Sequence, residues 1–183
     1  MWLNEGTPVY KRDLILEKPF VNTPGTLGYC PDPHNMPFLT HLGAFITHPI
    51  SRRSRQPAKN RACLPFPGGF LLHTGLPNPG ISRAIRQFRR CWENAPLPII
   101  VHLLAEAPGT LAEMICKLEG LENILAVEIG LPPQCDPTLL EALMDAALGE
   151  LPVILSLTPE QVPLLRSTIE TLQPSAVHLS APR

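Results

Sequence analysis

Charged residues and long hydrophobic runs are both scarce in this sequence. Lys, Arg, Asp and Glu make up only 17% of the 183 residues, and no apolar run approaches the ~18 residues that a membrane-spanning helix needs. The N-terminus carries Glu5 and has no apolar stretch behind a basic patch, so a secretory signal is not expected either. With a hydrophobic fraction of 44%, the chain is predicted to form one globular domain over residues 1–183.

The cysteines lack the spacing of a disulfide framework or of a metal-binding motif. There are five of them, an odd number, and no two form a CxxC pair. Their positions are Cys30, Cys63, Cys91, Cys116 and Cys135. Reduced thiols and a cytoplasmic location are the resulting predictions.

Acidic residues are missing from one long segment. Between Pro33 and Trp92 the chain has nine Lys and Arg residues and neither Asp nor Glu, although its net charge is only −1. Nucleic-acid binding is one interpretation of such a segment, but no nucleic-acid-binding module is recognisable in it. An anion-attracting loop at Arg52–Arg61 and a solvated face are the alternatives. We therefore expect neither a nucleic-acid partner nor contact with a membrane.

Short apolar runs alternate with amphipathic stretches along most of the chain. The runs are apolar almost throughout, which is typical of parallel strands that are covered on both faces. Ahead of them, Val9–Leu16 alternates enough to predict a short N-terminal hairpin. The predicted strands are Phe20–Thr23, Ala44–Thr47, Pro98–Leu104, Ala126–Leu131, Pro152–Leu157 and Ala176–Leu179.

Helix signals separate the predicted strands. Asn78-Pro79 and Asp136-Pro137 are typical helix starts, Thr158 with Gln161 is a candidate capping box, and Gly120 and Gly149 are stop signals. Strands that alternate with helices imply right-handed βαβ units, an α/β class and a parallel sheet. The pattern alone leaves open whether this sheet is doubly wound or part of a (β/α) barrel.

Three short motifs carry a resemblance to a known family. They read PFVNTPG at Pro19–Gly25, GAFITHPIS at Gly43–Ser51 and LLHTGLPNPG at Leu71–Gly80. In this order they resemble the motifs NPFxNASG, GAYITK and INxxGLPNxG of dihydroorotate dehydrogenases. The resemblance implies a (β/α)₈ flavin barrel, of which this chain corresponds to the front six strands. The predicted fold is accordingly a partial TIM-type (β/α) barrel of about six parallel strands.

The resemblance also implies a reaction and its ligands. Dihydroorotate dehydrogenases use flavin mononucleotide (FMN) to oxidise dihydroorotate to orotate in pyrimidine biosynthesis. By position, Asn22 and Gly25 are implied to contact the flavin. The residues implied to bind the pyrimidine are Thr74, Gly75, Leu76 and Asn78. The glycine and the amides ahead of a helix start suit close approach to a ligand, although a tight capped turn would need the same residues.

The family's polar side chains are replaced at the matching positions. Leu131 stands at the place of the base, and a leucine cannot accept a proton at any pH. Cys135 is the nearest thiol; an ordinary loop cysteine is the favoured interpretation, and the alternative is a thiol whose pKa is lowered by the helix start just after it. The resemblance also implies lysines at the positions of His48 and Ser156 and asparagines at the positions of Leu72, Glu128 and His178. No catalytic residue is predicted, and whether the chain is an enzyme stays open.

A metal site is a further hypothesis. His48, His102, Glu128 and His178 lie on or just after predicted strands, and His with Glu is a ligand set for zinc or iron. Because no local HxH or HxxE spacing supports it, no metal ligand is predicted.

The sequence stops three residues after Ser180, before the seventh and eighth strands whose loops commonly bind phosphate in such barrels. Six strands cannot close at eight-strand geometry, so we expect a homo-oligomer or a partner chain to complete the barrel. The prediction is a dihydroorotate-dehydrogenase-like protein that is impaired or inactive as a single chain. A flavin-free module that binds an orotate-like anion and a structural partner subunit are the alternatives.

Overall fold

The computed structural model describes residues 14–60 and 62–180. The hairpin predicted at Val9–Leu16 lies outside the described residues, apart from its last three positions. The helices are α1 (Ile81–Glu93), α2 (Pro108–Cys116), α3 (Pro137–Ala146) and α4 (Val162–Leu172). The strands are β1 (Phe45–Ile46), β2 (Ala62–Phe66), β3 (Gly69–His73), β4 (Ile99–Leu104), β5 (Ile124–Gly130), β6 (Val153–Leu157) and β7 (Ala176–Leu179). Three-ten turns occupy Pro37–His41 and Pro159–Gln161.

Five strands form one parallel sheet in the order β1-β4-β5-β6-β7. This order follows the chain, with the antiparallel β2–β3 hairpin inserted between β1 and α1. A doubly wound sheet would instead reverse its strand order at a switch point. The sheet is curled and its strands alternate with helices, so it forms half of a (β/α) barrel. The α/β class and the partial barrel are thereby confirmed.

The first predicted strand, Phe20–Thr23, is reduced to a single parallel bridge between Val21 and Ala44. The side chain of Asn22 replaces the missing ladder bonds. Its Nδ2 donates to the carbonyl oxygen of Ile46 at 2.7 Å, and its Oδ1 accepts from the Ile46 amide at 2.8 Å. The described sheet thus has five strands, and the segment predicted as a sixth lies beside β1 but forms only this bridge.

The sequence patterns did not predict the β2–β3 hairpin. Its turn is Pro67-Gly68, where Gly68 has φ +94°, as the third residue of a type II turn requires. Both faces of the hairpin are apolar and exposed, so the period-two alternation that signals a half-buried strand is absent. The exposed large side chains are Leu64, Phe66, Phe70, Leu71 and Leu72.

Helices cover the convex side of the sheet, and the main hydrophobic core lies between the two. Strand residues on this side, such as Val101, Val127 and Leu155, are fully buried. They belong to the same cluster as Leu111 of α2 and Leu140 of α3. Burial on this side and on the concave side accounts for the continuous apolar runs of β4 to β6.

The strand β7 is the exception in this core. Val177 and Leu179 lie on the side that helices cover for the other strands, yet their side chains are 45% and 57% exposed. Burial along β7 alternates between intermediate and exposed residues, unlike the fully buried β4 and β6. The edge of the described half-barrel is therefore apolar on its outer face.

Capping residues set the helix starts close to the predicted positions. The Asp136 carboxylate accepts from the Leu139 amide at 2.7 Å, directly before α3. Thr158 and Gln161 form the predicted capping box, which opens the three-ten turn ahead of α4. Helix α1 begins at Ile81, just after the Asn-Pro signal. None of the described helices is long and apolar enough to cross a membrane.

A disulfide joins Cys30 to Cys91, so the prediction of reduced thiols is wrong for this pair. The loop before β1 packs on α1, where the rings of Tyr29 and Phe88 stack at 4.9 Å and Trp92 Nε1 donates to the Tyr29 carbonyl oxygen at 2.8 Å. This packing joins cysteines 61 residues apart, a separation that no spacing rule detects. The free cysteines in the described residues are Cys63, Cys116 and Cys135.

Candidate functional site

Four polar residues lie on the concave side of the sheet near the carboxyl ends of its strands. They are His102 on β4, Glu128 on β5, Ser156 on β6 and His178 on β7, and we call them the polar layer. Strand register aligns His102 with Glu128 and Ser156 with His178. In (β/α) barrels the active site lies at this end of the strands. The polar layer is therefore the candidate functional site.

An apolar layer lies directly beneath the polar layer. Ile100, Ala126, Ile154 and Ala176 each stand two positions before a member of the polar layer, so they face the same side of the sheet. They pack together with Ile46 of β1. This second cluster gives the polar layer a rigid floor.

Two histidines converge on one oxygen of Glu128. The Nδ1 atom of His178 lies 2.8 Å from Glu128 Oε1, and the Nδ1 atom of His102 lies 3.2 Å from the same oxygen. The side chains of His102 and Glu128 are fully buried, whereas that of His178 is 24% exposed. His178 is thus the member of this trio that faces solvent.

The two histidines hold Glu128 in its charged form. Burial alone would raise the pKa of the Glu128 carboxyl, because a buried site disfavours charge. The hydrogen bonds and the attraction from His102 and His178 outweigh burial and lower the pKa to about 2. Glu128 is ionised at neutral pH and acts only as a hydrogen-bond acceptor.

The second carboxylate oxygen, Glu128 Oε2, is also buried and has no hydrogen-bond partner among the described residues. Buried acceptors in proteins are nearly always paired. The geometry therefore leaves Glu128 Oε2 as a buried acceptor whose donor is not among the described residues.

A cleft of about 530 Å³ lies at the carboxyl ends of β5, β6 and β7. Ser156 belongs to both the cleft and the polar layer, and Ser180 of the cleft follows His178 by two positions. The volume is within the ~300–1,000 Å³ range of small-molecule sites. The lining residues are Leu131, Pro133, Cys135, Ser156, Leu157, Thr158, Glu160, Gln161, Leu164 and Ser180.

The residues implied to contact flavin serve the fold. Both ends of the Asn22 carboxamide bind the backbone of Ile46. Gly25 has φ +85°, which a glycine adopts without strain, and it lies beside Pro49. Their roles in ligand binding stay predictions.

The turn from Thr74 to Asn78 is held by its own side chains. Asn78 Oδ1 accepts from the Ser51 amide, the Ser51 hydroxyl and the Gly80 amide at 3.0–3.1 Å. Its Nδ2 donates to the Leu76 carbonyl oxygen, and Thr74 Oγ1 accepts from the Leu76 amide at 3.1 Å. These contacts tie the turn to the loop after β1 and to the start of α1, as in a tight capped turn.

Gly75 is required by the same packing. It has φ +76°, and a Cβ atom there would lie 2.7 Å from the amide nitrogen of Ala58. The role of Thr74, Gly75, Leu76 and Asn78 in binding a pyrimidine stays a prediction.

One side chain at the implied flavin positions, that of His48, does not fit the contact to FMN that the resemblance implies. Asn22 is occupied as described, and His48 stands where the resemblance implies a lysine. His48 is partly buried with its ring 5.2 Å from that of Tyr29, and burial lowers its pKa. His48 therefore does not offer the lasting positive charge of the lysine that the resemblance implies.

Leu131, at the position of the implied base, and Cys135, the nearest thiol, are both buried. Leu131 is 4% exposed and packs in the main core. Burial and, secondly, the charge of Asp136 raise the pKa of Cys135 to about 11, which agrees with the ordinary cysteine and not with an activated thiol. The nearby helix start is outweighed because the Cys135 thiol is buried and lies beside a carboxylate.

The basic loop after β1 is partly neutralised. Arg52 Nε lies 2.6 Å from Glu113 of α2, and Arg55 lies 4.0 Å from Glu106. Arg53 and Lys59 are exposed, which is compatible with a solvated face. Within residues 14–60 and 62–180, no group of His, Cys, Asp and Glu is arranged to hold a metal ion.

Comparison with known proteins supports the resemblance drawn from the three motifs. A protein of Aeropyrum pernix assigned as a dihydroorotate dehydrogenase A (fumarate) is 30% identical over 118 residues, which is 64% of this chain and 38% of that protein. The catalytic subunit of dihydroorotate dehydrogenase B (NAD(+)) of Trichlorobacter lovleyi is 27% identical over 118 residues, again 64% of this chain and 39% of its own length. No protein-family model matches the chain.

A longer match extends the same similarity. A protein of Pediococcus pentosaceus assigned as a dihydroorotate dehydrogenase A (fumarate) is 29% identical over 166 residues, covering 79% of this chain and 52% of its own length. The chain thus spans between about two fifths and one half of the length of these relatives. Its similarity to dihydroorotate dehydrogenases is confirmed over this part.

Proposed function

We propose that this chain is a dihydroorotate-dehydrogenase-like half-barrel that does not by itself oxidise dihydroorotate and does not by itself hold FMN. The observation that carries the proposal is the position of Leu131. The resemblance places the family's base there, and the structure buries an apolar side chain instead. Without an acceptor for the proton of dihydroorotate, the oxidation lacks its acid–base step.

The polar layer supports the same conclusion. The resemblance places asparagines at Glu128 and His178, which would present neutral amides to a planar ligand. The structure joins these two positions in a charged hydrogen bond of 2.8 Å instead. A buried carboxylate at this place disfavours an anionic ligand such as dihydroorotate, because like charges repel most strongly in a buried site.

The test measures flavin binding and dihydroorotate oxidation separately. The visible absorbance of freshly purified protein is recorded before and after an excess of FMN is added and removed by gel filtration. Formation of orotate from dihydroorotate is then followed with FMN present, with a complete dihydroorotate dehydrogenase as the positive control. We expect no retained flavin and no orotate. Stoichiometric flavin or turnover of dihydroorotate would each overturn the proposal.

A second candidate function is that of a subunit that pairs with another copy of the chain. The exposed outer face of β7, with Val177 and Leu179, favours it, since apolar faces of this kind are covered in interfaces. The basic segment from Pro33 to Trp92 and the acidic remainder provide surfaces of opposite charge.

Light scattering after size-exclusion chromatography tests this second candidate. We expect a dimer that dissociates in Leu179→Asp but persists in Leu64→Asp, the matched change on the exposed hairpin. A monomer at every concentration, combined with a cooperative thermal transition, would show that no second copy covers β7.

A further inference from the structure

The β2–β3 hairpin exposes apolar side chains on both of its faces. Its register pairs Leu64 with Leu71, and residues that lie directly opposite each other share a face of the sheet. One face therefore carries Leu64, Phe66 and Leu71, and the other carries Phe70 and Leu72. These five residues are between 48% and 63% exposed. Exposed apolar surfaces of this kind mark sites that contact a protein or a membrane.

The apolar character of both faces favours a membrane over a protein or a nucleic acid. A protein that packs on one face leaves the other in water, and a strand added to an edge of the hairpin covers neither face. Single-stranded nucleic acid stacks its bases on aromatic rings, but three of the five exposed side chains are leucines. The interfacial zone of a lipid bilayer surrounds whatever enters it, so it would bury both faces of the hairpin together.

The charges around the hairpin favour an anionic membrane. The segment from Pro33 to Trp92, which contains the hairpin, has nine Lys and Arg residues and neither Asp nor Glu. The loop after β1 reaches the base of the hairpin, where the Ala58 amide donates to the Thr74 carbonyl oxygen at 2.8 Å. Arg53 and Lys59 in this loop are exposed and form no ion pair within residues 14–60 and 62–180. Cations of this kind near an apolar surface attract anionic lipid headgroups.

The dimensions of the hairpin match the interfacial zone of a bilayer. Each strand has five residues, so at ~3.4 Å per residue the hairpin is about 17 Å long. An element that lies in the interface is buried by ~5–10 Å, which brings Phe66 and Phe70 beside the turn to the acyl boundary and leaves Lys59 among the headgroups. Deeper insertion is disfavoured, because each strand of this two-stranded sheet has an unpaired edge.

We propose that the β2–β3 hairpin docks the chain on an anionic lipid surface. The turn and the apolar side chains of both faces enter the interfacial zone, while Arg53 and Lys59 contact the headgroup phosphates. The chain then lies on the bilayer and does not span it, so docking requires no long apolar run. The proposal does not depend on whether the chain holds FMN.

Co-sedimentation of the full chain with lipid vesicles tests this proposal. Vesicles of phosphatidylcholine and phosphatidylserine in equal parts are compared with vesicles of phosphatidylcholine alone. We expect binding to the mixed vesicles that weakens in high salt, because salt screens exposed charges. Phe70→Asp should lower the partition coefficient at least about 10-fold through lost apolar burial, and Lys59→Gln should lower it about 5-fold.

Two exposed residues of α4 provide the matched controls. Leu164→Asp makes an apolar-to-acidic change at a residue that is 57% exposed, and Arg166→Gln removes a charge from a side chain that is 74% exposed. Both variants should bind the mixed vesicles as the wild type does. Absence of wild-type binding, or an unchanged partition coefficient in Phe70→Asp, would overturn the proposal.

Two conservative variants distinguish a bilayer from other occupants of the hairpin. Phe66→Trp and Phe70→Trp place an indole on opposite faces, and the emission of the wild-type tryptophans is the baseline. On mixed vesicles we expect both indoles to shift to shorter emission wavelength and to be quenched by brominated lipid. A shift on one face only would indicate a one-sided contact and contradict lipid insertion. A shift that follows protein concentration without vesicles would identify a second copy as the occupant, and a shift with poly(U) but not with vesicles would identify a nucleic acid.

Discussion

The two layers on the concave side of the sheet are built on the same strands but are stabilised differently. In the apolar layer, Ile100, Ala126 and Ile154 are stabilised by removal of hydrocarbon from water, which is proportional to area and has no preferred direction. Two residues farther along, His102, Glu128 and Ser156 are equally buried but depend on directed polar contacts. Loss of apolar side-chain area in the apolar layer should therefore lower stability in proportion to that area. Loss of one partner in the polar layer should lower stability more sharply, because it leaves a buried polar group unpaired.

The two layers therefore have different structural roles. The apolar layer fixes the spacing and the register of the strands, and thereby the distances between groups that lie on different strands. The polar layer uses that spacing to place two histidines on one carboxylate oxygen. A charged group at this depth is costly unless it is paired, and such clusters are where functional sites are commonly found.

The largest expected effect comes from removing the shared acceptor. Glu128→Ala leaves His102 and His178 without their common partner in a buried site, and we expect a loss of about 4 kcal/mol in the free energy of unfolding. Urea unfolding followed by circular dichroism measures this loss. Glu141→Ala on the exposed side of α3 is the control and should change stability by less than about 0.5 kcal/mol. Equal effects of the two changes would refute the structural role of the trio.

A cavity in the apolar layer is expected to lower the free energy of unfolding somewhat less than Glu128→Ala does. Ile100 is 1% exposed, and Ile100→Ala is expected to lower the free energy of unfolding by about 3 kcal/mol, from lost burial and the cavity left behind. Leu164→Ala, at a side chain that is 57% exposed, is the matched control for the deletion of an aliphatic group. Ile100→Ala, unlike Glu128→Ala, should still lose stability as the pH falls, because Glu128 and its partners are unchanged.

Acid should weaken the polar layer and leave the apolar layer unchanged. The folded-state pKa of Glu128 is about 2, below its ordinary 4.5, so the unfolded chain binds the proton first as the pH falls. The stabilisation is complete above about pH 4.5 and is lost progressively towards pH 2, about 3 kcal/mol in all. Thermal melting across this range measures it. Glu128→Gln should lack this component, and an identical pH dependence in wild type and variant would contradict it.

The smallest effect is expected at the outer face of β7. Leu179 is 57% exposed, so Leu179→Ala should change the stability of the monomer by less than about 0.5 kcal/mol. Leu155→Ala, on the same side of the neighbouring strand β6 but fully buried, should cost about 3 kcal/mol. A large loss from Leu179→Ala would mean that another surface covers β7.

Part of this architecture follows from local sequence patterns. The cap at Asp136 and the capping box of Thr158 and Gln161 act over three residues, and both were predicted and are observed. The apolar runs of β4, β5 and β6 likewise reflect burial on both faces. The β2–β3 hairpin escaped prediction because a hairpin that is exposed and apolar on both sides has no alternation to detect.

The candidate site was only partly visible in the sequence. His102, Glu128 and His178 stand out as polar residues in apolar strands, and a metal site was one hypothesis for them. Their grouping around one oxygen requires the register that aligns His102 with Glu128 and the curl that brings β7 close. Asn22 and Asn78 matched family motifs, yet their hydrogen bonds to the backbone could be known only from the fold.

The sequence by itself determined the alternation of parallel strands with helices, the caps at Asp136 and Thr158, and the similarity to dihydroorotate dehydrogenases. Those features depend on neighbours within a few residues, where periodicity and capping act. The tertiary structure alone decided that the β2–β3 hairpin forms, that Cys30 meets Cys91, and that His178 meets Glu128 across 50 residues of chain. Such contacts depend on strand register, on curvature and on what each face buries, and these are set by the packing of distant segments against one another.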